Sequence, residues 1–210
     1  MPLTLVIGDK NLSSWSLRAA LALELAGADY DEQLIVLNRP DTRARMLEHS
    51  PAGKVPVLKT EYGPVWDTLA IAEYLAERFP QAALWPRETY ARAVARSICA
   101  EMHSGFVGLR THLPMDLKRD QALDVIPEAA QADIQRVCAL WAECRAGFGQ
   151  EGPYLFGQPS LADAFFAPVA SRLRSYRVPL PAEAQAYVDT IYQWPAFLRW
   201  YQTAQEERLA

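Results

Sequence analysis

Hydrophobic and polar positions alternate in type along the first eighty residues. The run "LTLVIG", residues 3–8, is apolar and β-branched, the pattern of a buried strand. Residues 16–27 place Leu17, Leu21 and Leu25 on one helical stripe, with Gly27 as the stop. "EQLIVL", 32–37, predicts a second strand, and a short polar helix follows at 42–49. "VPVLK", 55–59, and "YGPVW", 62–66, predict two short strands joined through the hairpin turn "TEYG". Residues 67–79 carry Ile71, Leu75 and Phe79 at four-residue steps and predict a helix. The order β-α-β then β-β-α is that of a small α/β domain with a mixed sheet.

The pattern then changes. "FPQAALWP", Phe79 to Pro86, reads as a linker because two prolines interrupt it. Beyond it every periodic stretch is helical, at 88–112, 128–147, 160–176, 182–193 and 195–207, so the second domain reads as all-α. In the third of these, Leu161, Phe165, Val169 and Leu173 form a stripe. Ser160 and Asp163 match a capping box at its start, which favours a structural role for Asp163 over catalysis.

Composition narrows the class. Of the 210 residues, half are hydrophobic and 22% charged, the balance of a folded soluble protein. The formal net charge of −4 argues against a nucleic-acid module, which needs clustered positive charge. No apolar run approaches the ~18 residues of a membrane span, and "MPLTLVIGDK" lacks the layout of a signal peptide. A cytoplasmic protein is expected. Cys99, Cys138 and Cys144 are odd in number, fit no metal spacing, and read as reduced thiols.

Three stretches carry candidate chemistry. "NLSSWSLR", Asn11 to Arg18, sets Ser13 and Ser14 at a predicted helix N-terminus beside Trp15 and Arg18. A serine there caps the helix, or its hydroxyl, the positive helix end and Arg18 together favour a thiolate brought by a ligand. "GKVPVL", Gly53 to Leu58, puts Pro56 at a strand start. It is an ordinary edge proline, or a cis Val55–Pro56 bond that leaves the Val55 backbone open to an extended ligand. "WDTLAIAEYL", Trp66 to Leu75, begins with Asp67 and Thr68 at a helix start, suited to capping and to an anion.

Taken in order, these stretches and "SLADAFFAPV" resemble the cytosolic glutathione S-transferase superfamily over essentially the whole chain. "SSWSLR" is similar to the serine-type motif of its zeta and tau classes. The resemblance implies a thioredoxin-like glutathione-binding domain at 1–79, a linker at 80–87, and an all-helical domain at 88–210 that forms the second-substrate site. It implies a homodimer, and glutathione as co-substrate with no metal. It ranks Ser13 ahead of Ser14 as the hydroxyl on the glutathione sulfur. Val55, within the Val55–Pro56 motif, pairs with the cysteinyl part; Asp67 and Thr68 hold the γ-glutamyl end; Lys54 and His49 lie near the glycyl carboxylate. Arg18 assists the sulfur or ties the loop to a neighbouring helix.

The family's usual Glu-Ser pair is Asp67-Thr68 here, and the zeta "SSC" is Ser13-Ser14-Trp15. The zeta class carries an arginine for acidic substrates after the capping box. A gapless match from Asp163 puts Ser175 there, with Arg172 and Arg174 nearby. His103, Phe106 and Arg110, at i, i+3 and i+7, share one face of the predicted 88–112 helix. With Trp15 they suit an apolar electrophile bearing an anionic group. The expected activity is conjugation of glutathione to a small apolar electrophile. A glutathione-dependent isomerase is the alternative enzyme, and a partner-binding protein on the same fold the non-enzymatic one.

Overall fold

A computed structural model describes residues 2–208. Its N-terminal part holds four strands, β1 (Leu3–Ile7), β2 (Tyr30–Leu34), β3 (Val57–Thr60) and β4 (Gly63–Val65), in the order β2-β1-β3-β4. β1 runs parallel to β2 and antiparallel to β3, and β3 and β4 form the expected hairpin. With it come helices α1 (Ser14–Ala26), α2 (Thr42–Leu47) and α3 (Thr68–Arg78), then a single 3-10 turn at Pro80–Ala82. The rest is helical: α4 (Thr89–Ser104), α5 (Val107–His112), α6 (Glu128–Phe148), α7 (Leu161–Ser175), α8 (Ala182–Ile191) and α9 (Pro195–Glu206).

β2 begins and ends earlier than its apolar run suggests. It is an edge strand whose Tyr30, Asp31 and Glu32 pair with Leu3, Thr4 and Leu5 of β1. An edge strand tolerates polar residues, so hydrophobicity alone marks only its end. The buried Ile35 still donates its N–H to Ile7 O at 2.8 Å.

α1 does not use one stripe. Leu17, Ala19, Ala20, Leu21, Ala22 and Leu23 are all buried, because α1 is wedged between β1 and the helices α3, α7 and α9. Gly27 ends it at φ 62°, a left-handed turn that glycine adopts without a Cβ penalty. α7 is as deeply set, with Arg174 its one exposed residue. Full burial of each large side chain, such as Phe165 or Phe166, is worth about 1.5–3 kcal/mol. These two helices form the seam between sheet and bundle, and the site opens along that seam.

The predicted 88–112 helix is broken. Gly105 leaves α4 in extended conformation, and Phe106 restarts the chain at φ 53°. A Cβ at residue 105 would lie 2.8 Å from Glu101 O, so the turn needs a glycine. No helix among the described residues is long and apolar enough to cross a membrane. The three cysteines are free, and burial raises the thiol pKa of each.

Candidate functional site

The loop between β1 and α1 is fixed from within. Ser13 caps α1: its Oγ accepts from Ser16 N at 3.3 Å and lies 2.7 Å from Ser16 Oγ, which accepts from Gly8 N. These bonds turn Ser13 into the loop. Ser14, the next residue, faces the other way and lines a cavity of about 830 Å³ between the sheet domain and the helices. Ser13 does not line it. Of the two candidate hydroxyls, Ser13 caps α1 and Ser14 lines the cavity.

The opposite wall comes from the β3 and α3 entrances. The Val55–Pro56 bond is cis. β3 starts only at Val57, so the Val55 peptide sits outside the ladder, beside Lys54 at the cavity. Asp67 and Thr68 bring the start of α3 to the same wall. Asp67 Oδ1 accepts from Leu69 N at 3.1 Å, an N-cap, while the buried Thr68 donates its hydroxyl to Trp15 O at 3.2 Å. The positive end of α3 thus points at the cavity with its cap already made.

The helical domain supplies the roof. His103 Nε2 is 3.2 Å from Asp67 Oδ2, which joins the two domains, and the imidazole meets Trp15 edge-on at 5.1 Å. Arg110 lies over the Trp15 ring at 5.7 Å and donates to His103 O at 3.4 Å. Phe106 does not join them. The break at Gly105 rotates it away from the face predicted for it, into the core at 6% exposure. His49 also stays outside the cavity. It is held at the sheet surface, where the Gln33 amide donates to its Nε2 at 3.2 Å, and burial and Lys59 lower its pKa.

Arg18 is fully buried. It donates to Phe165 O at 2.9 Å and Ser14 O at 3.2 Å, and its guanidinium stacks 4.6 Å above Trp15. This ties the loop to α7, and its charge remains beside the serine. Burial, then Arg172 and Arg110, pull its pKa well below the usual arginine value. Arg172, 4% exposed, donates Nη2 to Ser14 Oγ at 3.3 Å and lines the cavity. Burial and the neighbouring Arg110 push it down to about 10, so it is still a cation at neutral pH. Among the described residues, Arg172 Nε and Nη1, Arg18 Nη2 and His103 Nδ1 have no partner. Buried N–H groups are normally satisfied; of these residues Arg172 and His103 line the cavity, while Arg18 lies behind its wall.

The sequence motifs do not single out Arg172 or Trp66, which also lines the cavity. The signal for Arg172 was its place one helical turn before Ser175. Ser175 itself is buried and donates to Asp116 O at 2.9 Å. Trp66 stands between two recognised features, the β4 strand and the Asp67 cap, and is 41% exposed.

The chain matches two family descriptions, "Glutathione S-transferase, N-terminal domain" over residues 12–78 and "Glutathione S-transferase, C-terminal domain" over residues 87–203. It is 28% identical over 196 residues to the maleylacetoacetate isomerase of Pseudomonas aeruginosa, covering 88% of this chain and 90% of that protein. It is 31% identical over 172 residues to the maleylacetoacetate isomerase of Rattus norvegicus, covering 80% and 77%. A glutathione transferase homologue from Burkholderia, solved with bound glutathione, superposes with a TM-score of 0.75 at 26% identity, over 99% of this chain and all of that one. A thioredoxin-like sheet domain followed by an all-helical domain, with matching sequence in both, makes this chain a member of the glutathione S-transferase family.

Proposed function

We propose that this protein binds glutathione and directs its thiolate at a small unsaturated electrophile carrying a carboxylate. One observation carries the reading: Ser14, at the start of α1, faces the cavity while its oxygen accepts from the buried cation of Arg172. A hydroxyl polarised in this way keeps its own proton for a sulfur. The α1 dipole and three arginines add a positive field, and each of these lowers the pKa of a bound thiol from about 8.5.

The rest of the cavity divides by charge. Val55 offers free backbone to the cysteinyl part of glutathione, Lys54 suits its glycyl carboxylate, and Asp67 with Thr68 at the start of α3 suits the γ-glutamyl end. Asp67 already faces His103 through Oδ2, so an ammonium there joins an existing pair. The cavity-lining cations Arg110 and Arg172 suit a substrate carboxylate.

The thiolate adds to a conjugated carbon–carbon double bond and the electron pair moves onto the carbonyl oxygen. Rotation about the resulting single bond, then departure of the sulfur, returns glutathione and the isomer; protonation instead retains the sulfur as a conjugate. The cavity-lining cations and the isomerases among the relatives support the first outcome. Conjugation of an apolar aromatic electrophile is the second reading, supported by the exposed indole of Trp66, which lines the cavity as Trp15 does.

The test uses the purified protein with glutathione and two probes, a maleyl keto acid and neutral chlorodinitrobenzene. Glutathione-dependent turnover of the acid at the higher kcat/KM is expected. Ser14→Ala should lower kcat by about 100-fold, the scale for losing one preorganised donor. Full activity in Ser14→Ala would overturn the assignment of the serine. Turnover of the neutral probe alone would move the reading to conjugation.

A further inference from the structure

The loop that carries Ser14 is held at a second place, far away in sequence. Within the loop, Leu12 N and Ser13 N donate to Asp9 O at 3.1 and 2.8 Å, and Ser14 N donates to Leu12 O at 3.1 Å. The peptide N–H groups of Lys10 and Asn11 look outside the loop. Both are taken by one carboxylate from the end of α9: Lys10 N donates to Glu207 Oε1 at 2.9 Å and Asn11 N to Glu207 Oε2 at 3.2 Å.

Other bonds make the same connection. Trp200 Nε1 donates to Lys10 O at 3.0 Å, and the Lys10 ammonium lies 4.7 Å from the Trp200 ring. Lys118 Nζ donates to Glu207 O at 2.7 Å, and Lys118 N to Asn11 Oδ1 at 3.0 Å. Leu117 N donates to Asn11 O, and Gln205 Nε2 to Leu117 O. The loop is therefore clasped by α9 and by the α5–α6 connection together. Asp9, in the same loop, is buried, and burial raises its pKa, with a smaller contribution from the Glu207 carboxylate.

We propose that Glu207 is a positioning residue for the reaction at Ser14: its carboxylate grips two consecutive peptide N–H groups and so fixes the loop that aims the serine. It does not touch the cavity. It acts by setting where Ser14 Oγ stands relative to Arg172 and to the bound sulfur. The inference rests on the reading of Ser14 given above.

The consequence is a separation of effects. A purely structural anchor lowers stability and leaves the bound thiol as it was. A positioning anchor changes the acidity of that thiol. The experiment compares wild type, Glu207→Ala, Glu207→Gln, Ser14→Ala and Arg199→Ala as full chains. The readouts are the pKa of bound glutathione from thiolate absorbance, kcat and glutathione KM with chlorodinitrobenzene, and the thermal midpoint. Arg199 pairs with Glu24 and tethers α9 to α1 without touching the loop.

In Glu207→Ala the bound thiol pKa should rise by about one unit and kcat at neutral pH fall about tenfold, with glutathione KM within about twofold. This is below the ~100-fold that a 1 Å misplacement can produce. Glu207→Gln, which keeps one acceptor oxygen, should recover part of both, and Arg199→Ala should match wild type in both. If Glu207→Ala does not fold, Glu207→Gln against Arg199→Ala decides. Wild-type thiol pKa and kcat in the Glu207 variants, while Ser14→Ala loses both, would overturn the role of Glu207 alone. Unchanged thiol pKa and kcat in Ser14→Ala would overturn the reading beneath it.

Discussion

The two ends of α7 bury opposite charges and treat them in opposite ways. At its start Asp163, fully buried, accepts from Leu155 N and Tyr187 Oη on one oxygen, and from Ser160 N and Oγ on the other, at 2.9–3.1 Å. Toward its other end Arg172, 4% exposed, makes one long bond to Ser14 and leaves Nε and Nη1 without partners. Desolvation disfavours both charges, lifting Asp163 to about 6 and lowering Arg172 to about 10. Only the acid has its donors supplied by the fold. A satisfied buried charge builds the protein; the half-paired one beside the cavity is the charge on which the proposed function draws.

The sharpest way to break this comparison is Asp163→Ala. It strands four donors in the core and should destabilise the protein by about 4 kcal/mol in chemical denaturation. A loss under about 1 kcal/mol would remove the structural reading. The group also has a pH signature. Between 3.8 and about 6 the folded state holds a proton that the unfolded chain has released, so this group's contribution to stability falls as pH rises through that window.

Arg172→Met tests the other end. Removing a half-paired buried cation should leave the thermal midpoint unchanged or higher. kcat/KM for a maleyl keto acid should fall about 100-fold, at least tenfold more than for chlorodinitrobenzene. An equal fall for the two probes would show that Arg172 serves only Ser14. Ser13→Ala has the smallest expected effect. It removes the cap of α1 and should lower stability by about 1 kcal/mol, with kcat within about threefold of wild type. A large loss of kcat with little loss of stability would return the sulfur to Ser13.

Most of the fold is legible because period and punctuation agree. Gly27 stops α1, the prolines of "FPQAALWP" separate the sheet domain from the helices, and Ser160 with Asp163 starts α7. The beginning of β2 is not, because its polar residues are admitted by an edge position that only the assembled sheet defines. The Gly105 break is hidden in a stretch whose hydrophobic spacing continues through it. Phe106, placed by that spacing beside His103 and Arg110, ends up in the core instead.

The site is legible as motifs and not as directions. Two adjacent serines at a helix start offer one cap, and a shift of a single residue decides which is used. The place of Arg172 depends on the pairing of α7 with α1, and that of Glu207 on the return of α9 to the first loop. Glu207 has no local signature, and that of Arg172 is only its place one helical turn before Ser175.

The Trp15 ring has the guanidiniums of Arg18 and Arg110 at 4.6 and 5.7 Å and meets the His103 imidazole edge-on. An indole excited state is sensitive to nearby charge, and here the charges are those a bound anion would screen. Four of the other five tryptophans, Trp85, Trp141, Trp194 and Trp200, are buried, and Trp66 stands at the cavity rim. On the proposed function, an anion bound beside Arg110 should change the Trp15 emission, which a fluorescence titration without any label would read.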